Sequence, residues 1–282
     1  MSGTLYVVAT PIGNLEDITL RALRVLREVS VIAAEDTRRT ARLLSHHSIS
    51  TRTVSFHAHN TKSRVPALIA RLAAGESIAL VTDAGTPGVS DPGIELVQAA
   101  VDHDIPVDPI PGASAPLAAL IGSGFPLSPF TVWGFAPNRS KARKEWLSEL
   151  SKTSHTFTFF EAPHRIRETL KEAGQLFGKR PIIVARELTK MHQEFIRGTA
   201  EELAERDFER RGEFTVVVGP AANSIQHSKL EATDSVVTNE FVHLTNNAGL
   251  SRRDAINQLA KKYGRSSRDV YSAIERTKLS GK

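Results

Sequence analysis

The first 110 residues alternate short apolar runs with segments of helical period, and this rhythm restricts the fold more than any other feature of the chain. Residues 5–9, 31–34, 54–56, 78–81 and 106–110 have strand character. Between them, residues 20–29 carry apolar side chains at positions 20, 22, 23, 25, 26 and 29, the stripe of one helical face. Segments 37–44, 64–74 and 93–103 are also helical in pattern. A βαβα order of this kind predicts a largely parallel sheet with helices packed on its faces.

After about residue 111 the rhythm changes. A small-residue helix is expected at 113–121, then strands at 130–135, 156–160, 182–185, 194–197 and 214–218, with helices near 139–150 and 164–177. Several of these strands lie too close in sequence for a crossover, so antiparallel pairing is expected. Residues 221–238 are polar and without period and read as a linker. Three short helices follow, at about 239–247, 252–263 and 267–278, with Ser251 and Ser266 or Ser267 as N-caps. The last two, joined through Gly264, have helix-turn-helix spacing. The predicted fold class is therefore α/β: an N-terminal domain (1–113) with a mostly parallel sheet, a second domain (114–222) with a mixed sheet, and a small helical extension (223–282).

With 282 residues the chain is long enough for two or three modest cores. No apolar run reaches membrane-spanning length, and the first strand begins too early to leave room for a signal peptide. Cysteine is absent, which excludes disulfides and thiol catalysis and fits a reducing, cytoplasmic location. The net charge of +5 is unevenly placed: from Ser251 to the end there are nine Lys or Arg against three Asp or Glu. The body is near neutral and the tail basic, an asymmetry that points to a polyanionic partner or, more plainly, to a solvated helical face.

The residues able to carry chemistry cluster at strand ends. Residues 80–93, LVTDAGTPGVSDPG, run from an apolar strand into small and turn-forming residues that offer backbone N–H groups, hydroxyls and carboxylates with little bulk. Similar loops follow strands at 9–15 (ATPIGNL) and 110–115 (IPGASA). Three such loops on one sheet predict a ligand pocket at the carboxyl ends of the strands. Segment 34–39 (AEDTRR) adds two acids and two arginines. Asp36 or Thr37 suits a helix cap, whereas Arg38 and Arg39 at a helix N-terminus oppose its dipole and suggest an anionic ligand such as RNA phosphate. In the second domain, 160–165 (FEAPHR) and 185–194 (ARELTKMHQE) mix acids and bases, where salt bridges and capping compete with function. The dinucleotide fingerprint GxGxxG, the phosphate loop GxxxxGK[ST] and the serine-hydrolase elbow GxSxG are all missing. The ten histidines form no ligand pattern, so no metal is expected.

Taken in order, VATPIGNLEDITLRA, AAEDTRRT, LVTDAGTPGVSDPG, PGASA, FFEAPHR and ARELTKMHQEFIRGT resemble the branch of the tetrapyrrole-methylase superfamily that methylates small-subunit ribosomal RNA. The likeness runs from Leu5 to about Pro220, and the basic extension is similar too; Ala113 departs slightly, where proline is the usual residue. The resemblance implies a homodimer that binds S-adenosylmethionine in a cleft between the two domains. It implies methyl transfer to the ribose 2′-hydroxyl of a cytidine, cytidine 1402, in the decoding centre of 16S ribosomal RNA in the 30S subunit. On the cofactor it places Pro11, Gly13, Asp83, Gly85, Thr86, Pro87, Ser90, Ser114, Ala115, Phe160, Glu161 and Ala162, with Val217 and Gly219 near the adenine.

Methyl transfer from a sulfonium depends chiefly on alignment, and a ribose hydroxyl needs a proton acceptor. Glu35, Asp36 and Glu161 are the candidates for that acceptor. Arg38, Arg39 and Arg165 are expected to hold phosphates near the reaction, and Arg252, Arg253, Lys261, Lys262, Arg265 and Arg268 to grip the RNA backbone. Two rival readings are a methyltransferase acting on a tetrapyrrole-like small molecule, and a non-catalytic RNA-binding protein. The first leaves the basic tail unexplained and the second leaves the ligand loops unexplained.

Overall fold

Strand runs at the start of the chain bury both of their faces, and alternate residues go to opposite sides. In β4 (Ile78–Val81), Ile78 and Leu80 face one layer while Ala79 and Val81 face the other. The computed structural model describes residues 2–88, 91, 93–208, 212–221, 234–246, 250–263 and 265–279. They form two compact units, Met1–Gly219 and Pro220–Lys282.

Unit one contains two five-stranded sheets. The first joins β1 (Leu5–Val8), β2 (Val31–Ala34), β3 (Thr53–Ser55), β4 and β5 (Val107–Ile110) in the order β3-β2-β4-β1-β5, all parallel. Helices α1 (Leu20–Glu28) and α2 (Thr37–His46) cover one face through Ala22, Val25, Leu26 and Leu44. Helices α3 (Thr61–Ala73) and α4 (Ile94–Asp102) cover the other through Leu68, Ile69, Leu72, Leu96 and Ala100. Because all five strands run the same way, every loop that follows a strand emerges at one edge.

The second sheet has the order β6-β7-β10-β8-β9, from β6 (Phe130–Phe135), β7 (Thr156–Glu161), β8 (Ile182–Arg186), β9 (Glu194–Gly198) and β10 (Phe214–Val218). β6 and β7 are parallel, and every other pair is antiparallel. The last strand therefore sits in the middle. One face packs under α6 (Ser140–Ser151), α7 (Ile166–Phe177) and α8 (Ala200–Ala204), through Leu147, Leu150, Leu170, Leu203, Phe157, Phe159 and Phe214. The other face receives α5 (Ala115–Ser123) through Ala119 and Leu120 against Ile183 and Val217. Helix α8, at five residues, is too short to show a helical period in the sequence. It is closed by a capping box, in which the Thr199 hydroxyl accepts from the Glu202 N–H and the Glu202 carboxylate accepts from the Thr199 N–H.

Unit two is a three-helix cluster of α9 (Asp234–Asn246), α10 (Arg252–Tyr263) and α11 (Ser267–Leu279) around Val237, Phe241, Leu259, Val270 and Ile274. Its first helix begins five residues earlier than the expected 239. The stretch assigned to a polar linker contributes Asp234, whose carboxylate takes Arg276 at 2.8 Å and Arg265 at 3.3 Å, a tertiary reward that a polar run does not reveal. Gly264, the expected joint of the last two helices, and most of the expected linker lie outside the described residues.

Candidate active site

Four loops from the parallel sheet meet the end of the mixed sheet around a cavity of about 480 Å³. Its size falls in the range of small-molecule sites, roughly 300–1,000 Å³. The loops after β1 and β4 are tied by a two-way backbone bridge, Thr10 N–H to Gly85 O at 2.9 Å and Gly85 N–H to Thr10 O at 3.0 Å. The Thr10 hydroxyl also donates to Thr82 O at 3.1 Å. The loops after β2 and β4 are linked by their acids: the Glu35 carboxylate accepts the Asp83 N–H at 3.2 Å, and the Asp83 carboxylate accepts the Asp36 N–H at 3.0 Å. Arg39 closes this junction with an ion pair to Asp83 at 3.2 Å.

The cavity wall is acidic. Glu35, Asp83, Asp91, Glu187 and Glu213 line it, against Arg39 and Lys190. Burial raises the Glu35 carboxyl above the usual range, opposed by the Asp83 N–H and supported by the Asp83 charge. Asp91 is pushed up to about 7, first by burial and then by Glu35, Glu213 and Asp83. At neutral pH it is therefore divided between acid and carboxylate. Phe135 and Phe160 supply an aromatic wall, with ring centroids 5.0 Å apart.

Of the residues expected at the site, Glu35, Arg39, Asp83, Gly85, Thr86, Ser114, Ala115 and Phe160 line this cavity. Others are placed elsewhere. Asp36 caps α2 through the Arg38 N–H at 2.9 Å and pairs with the Arg38 side chain, which holds its carboxyl down to about 2. Arg38 itself projects outward, 89% exposed. Glu161 follows Phe160 on a strand, so it faces the opposite side of the sheet. It is fully buried there, accepting from the Thr169 hydroxyl at 2.5 Å, from the Ala162 N–H at 2.7 Å and from Arg165 at 2.5 Å. Arg165 is only 12% exposed and also donates to Asn138 Oδ1 and to Ala136 O, so it anchors the protein. Ala162 begins the turn that leads into α7, its carbonyl accepting from the Arg165 and Ile166 N–H groups.

Pro11 and Pro87 flank the lining residues without joining them. Gly13 lies in an adjacent shallow groove beside Asn14, His46 and Lys190. Val217 is covered by α5, and Gly219 stands at the far end of β10, its N–H on Pro181 O and its carbonyl on Arg180. Ser90 lies outside the described residues.

In unit two, Arg252 pairs with Glu275 and lies over the Phe241 and Tyr271 rings. Lys262 pairs with Glu240, and Arg265 with Asp234. Arg253, Lys261 and Arg268 are exposed and form no ion pair among the described residues.

Pro116, Phe135, Gly212, Glu213 and Thr215 line the cavity without being expected there from the sequence, and so does Glu187, for which a salt bridge competes with function. Loops that follow a strand are legible in the sequence, those after β7 and β8 included, whereas residues that precede a strand are not. β10 is antiparallel to its neighbours, so Gly212 and Glu213 before it and Thr215 at its start reach the same edge. Glu187 adopts φ 50° and Thr189 φ 66°, rare for side-chain-bearing residues and a strain that concentrates at functional sites. Glu187 does pair with Lys190 at 2.9 Å. Its carboxylate occupies the space beside Gly212, where a Cβ would stand 2.1 Å from Glu187 Oε1. Among the described residues no cluster of His, Asp or Glu is placed to hold a metal ion, and no helix is long and apolar enough to cross a membrane.

Two sheets sharing one cavity at their strand ends define a class. The chain belongs to the tetrapyrrole (corrin/porphyrin) methylases, whose family model matches residues 4–204, and it is a methyltransferase. Within that class it is 44% identical over 272 residues, covering 96% of this chain and 94% of the relative, to the "Ribosomal RNA small subunit methyltransferase I" of Halalkalibacterium halodurans. It is 50% identical over 236 residues, 82% of this chain and 75% of the relative, to the protein of the same name from Micromonospora olivasterospora. Among solved structures it is similar to uroporphyrin-III-C-methyltransferase from Thermus thermophilus, with TM-score 0.56 and 21% identity over 79% of this chain and 97% of that one. That likeness concerns the fold.

Proposed function

We propose that this chain methylates the ribose 2′-hydroxyl of cytidine 1402 in the decoding centre of 16S ribosomal RNA, using S-adenosylmethionine. The observation that carries the reading is an acidic, partly aromatic cavity in a chain whose relatives bear the name of a ribosomal RNA methyltransferase. The cofactor suits the cavity. Its sulfonium and ammonium groups are cations and match the carboxylates of Glu35, Asp83, Asp91, Glu187 and Glu213. Its purine matches the apolar surfaces of Phe135, Phe160 and Leu188, and its carboxylate suits the N-terminus of α5 at Ser114 and Ala115. When bound it supplies an electrophilic methyl group.

The protein's own part is alignment and proton acceptance. Glu35 and Asp91 face the cavity with raised proton affinity, so either can take the hydroxyl proton near neutral pH. Asp36, held low by Arg38, and Glu161, sealed behind the sheet, are poorly placed for that task. Arg39 at the rim and Arg38 outside it meet RNA phosphate, joined by Arg253, Lys261 and Arg268 of unit two. A second copy of the chain is the expected partner. Helix α5 exposes Leu117 and Ile121 and the edge strand β6 exposes Phe130 and Val132, apolar surface that such a copy would cover.

The test is incubation with methyl-labelled S-adenosylmethionine and, separately, 30S subunits, naked 16S RNA and a tetrapyrrole. Label at the 2′-oxygen of one cytidine supports the reading. Label on the tetrapyrrole alone, or binding of RNA without transfer to any acceptor, overturns it.

A further inference from the structure

We propose that the exposed cationic segment 138–144, at the cavity edge of the mixed sheet, binds the phosphate backbone of the RNA strand that carries the reacting ribose. The proposal rests on the ribosomal RNA reading above and assigns that substrate a contact surface in addition to Arg38, Arg39 and the cations of the helical unit.

Position comes first. Phe135 ends β6 and lines the cavity. Asn138 is three residues further, and an extended chain advances at most about 3.3–3.6 Å per residue, so it lies within about 11 Å of Phe135. The connection is held at several points. Ala136 N–H donates to Phe160 O at 3.0 Å, and Phe160 is itself in the cavity wall. Arg165, anchored on buried Glu161, donates to Asn138 Oδ1 and to Ala136 O. Arg165 is thus a positioning residue that presents the segment beyond it.

Charge comes second. Arg139, Lys141 and Lys144 are exposed, while Arg143 between them is buried and fixed to Glu172 at 2.7 Å and Glu168 at 3.1 Å on α7. The buried arginine clamps α6 in place and leaves the other three cations outside. Arg139 and Lys141 form no ion pair among the described residues, and the nearest carboxylate to Lys144 is Glu172 at 4.0 Å, already held by Arg143. No acid stands in the first turn of α6. Cations there oppose the helix dipole, so helix stability does not explain them.

The pattern recurs on the parallel sheet. Helices α2 and α3 follow strands at the cavity edge and begin with Arg38 and Arg39, and with Lys62 and Arg64, again without an acid in the first turn. By contrast α4 and α7 carry Glu95 and Glu168 in theirs. Cationic helix starts thus occur on both sheets that build the cavity, which suits a polyanion.

The experiment uses the full chain with Arg139→Ala and Lys141→Ala together, and naked 16S RNA and 30S subunits as ligands, titrated over a salt series. Removing two phosphate contacts lowers the slope of log affinity against log salt by about 1.4–1.8, and affinity at 0.1 M salt falls about tenfold or more. S-adenosylmethionine affinity, measured by calorimetry, stays at the wild-type value, and Arg139→Lys with Lys141→Arg restores RNA affinity. Unchanged RNA affinity and slope in the alanine variant, with ribose methylation intact in the wild type, overturns this surface alone. An equal loss of cofactor affinity also overturns it, because the segment would then be supporting the fold. A wild-type chain that binds neither RNA ligand overturns the ribosomal RNA reading and this proposal with it.

Discussion

Replacing Arg165 by alanine isolates the difference between a phosphate ligand and an internal anchor. The Arg165 guanidinium is nearly enclosed and pairs at 2.5 Å with a carboxylate that has no exposure to solvent. Without it, Glu161 keeps only the Thr169 hydroxyl and the Ala162 N–H. Breaking one side of a buried pair costs about 3–5 kcal/mol, because the charge left behind is neither solvated nor compensated. For a unit of this size each kcal/mol moves the melting temperature roughly 2–4 °C, so Arg165→Ala should melt about 6–20 °C below wild type. The assay is thermal unfolding followed by circular dichroism. Arg165→Leu combined with Glu161→Leu serves as the control, since removing both charges together is commonly near neutral and should recover most of the loss. A melting temperature within 1–2 °C of wild type for Arg165→Ala, roughly the shift of a surface substitution, would show that Arg165 is not an anchor. Glu161→Gln belongs to the same experiment: it should lower stability first, and turnover only as far as the fold suffers.

Four further outcomes are expected. Asp91 has a raised pKa in the folded chain, so the stability it contributes is fully present below about pH 4 and is lost as pH rises through about 7. Asp91→Asn should therefore raise the melting temperature at pH 8 relative to pH 5, and a wild-type and variant pair with identical pH profiles would refute this. A cationic ligand favours the ionised form, so wild-type affinity for S-adenosylmethionine should increase from pH 6 to pH 8, read by calorimetry. A Cβ on Gly13 would stand 2.7 Å from Leu188 O and 2.8 Å from Thr189 Oγ1, so Gly13→Ala should part the β1 loop from the 187–190 turn and break the Asn14 N–H bond to Thr189 Oγ1. A loss of about 1–3 kcal/mol in chemical denaturation is expected, together with weaker cofactor binding. In the helical unit, Arg253→Ala with Lys261→Ala and Arg268→Ala should weaken RNA binding and leave the helices intact, whereas Arg252→Ala should first loosen the contacts with Phe241 and Tyr271. Equal RNA affinity in both variants would contradict this division.

Much of this architecture was legible in the residues, and the reasons are local. Runs such as Ile78–Ala79–Leu80–Val81 are apolar at every position, as strands covered on both faces must be. The loops of small residues after β1, β4 and β5 pointed to the cavity because parallel strands send their C-terminal ends to one edge. What the residues do not reveal depends on partners distant in sequence. Period two guarantees that Phe160 and Glu161 face opposite sides, but which side is the cavity is decided by where α5 and α7 pack. Glu213 precedes a strand and reaches the site only because β10 runs against its neighbours. The basic tail is rich in cations, yet Arg252, Lys262 and Arg265 are matched by Glu275, Glu240 and Asp234 from other helices of the same unit.

The central place of β10 bears on how the chain emerges during synthesis. The parallel sheet is complete once residue 110 has been made, with no strand borrowed from later in the chain. The mixed sheet is different. Until residues 214–218 appear, β7 and β8 have no strand between them and each presents an open edge of unpaired N–H and C=O groups. Open edges of this kind recruit other chains. A product truncated just before Phe214 should therefore accumulate as aggregate even though four of the five strands are present, while one ending after Gly219 should remain soluble without the helical unit.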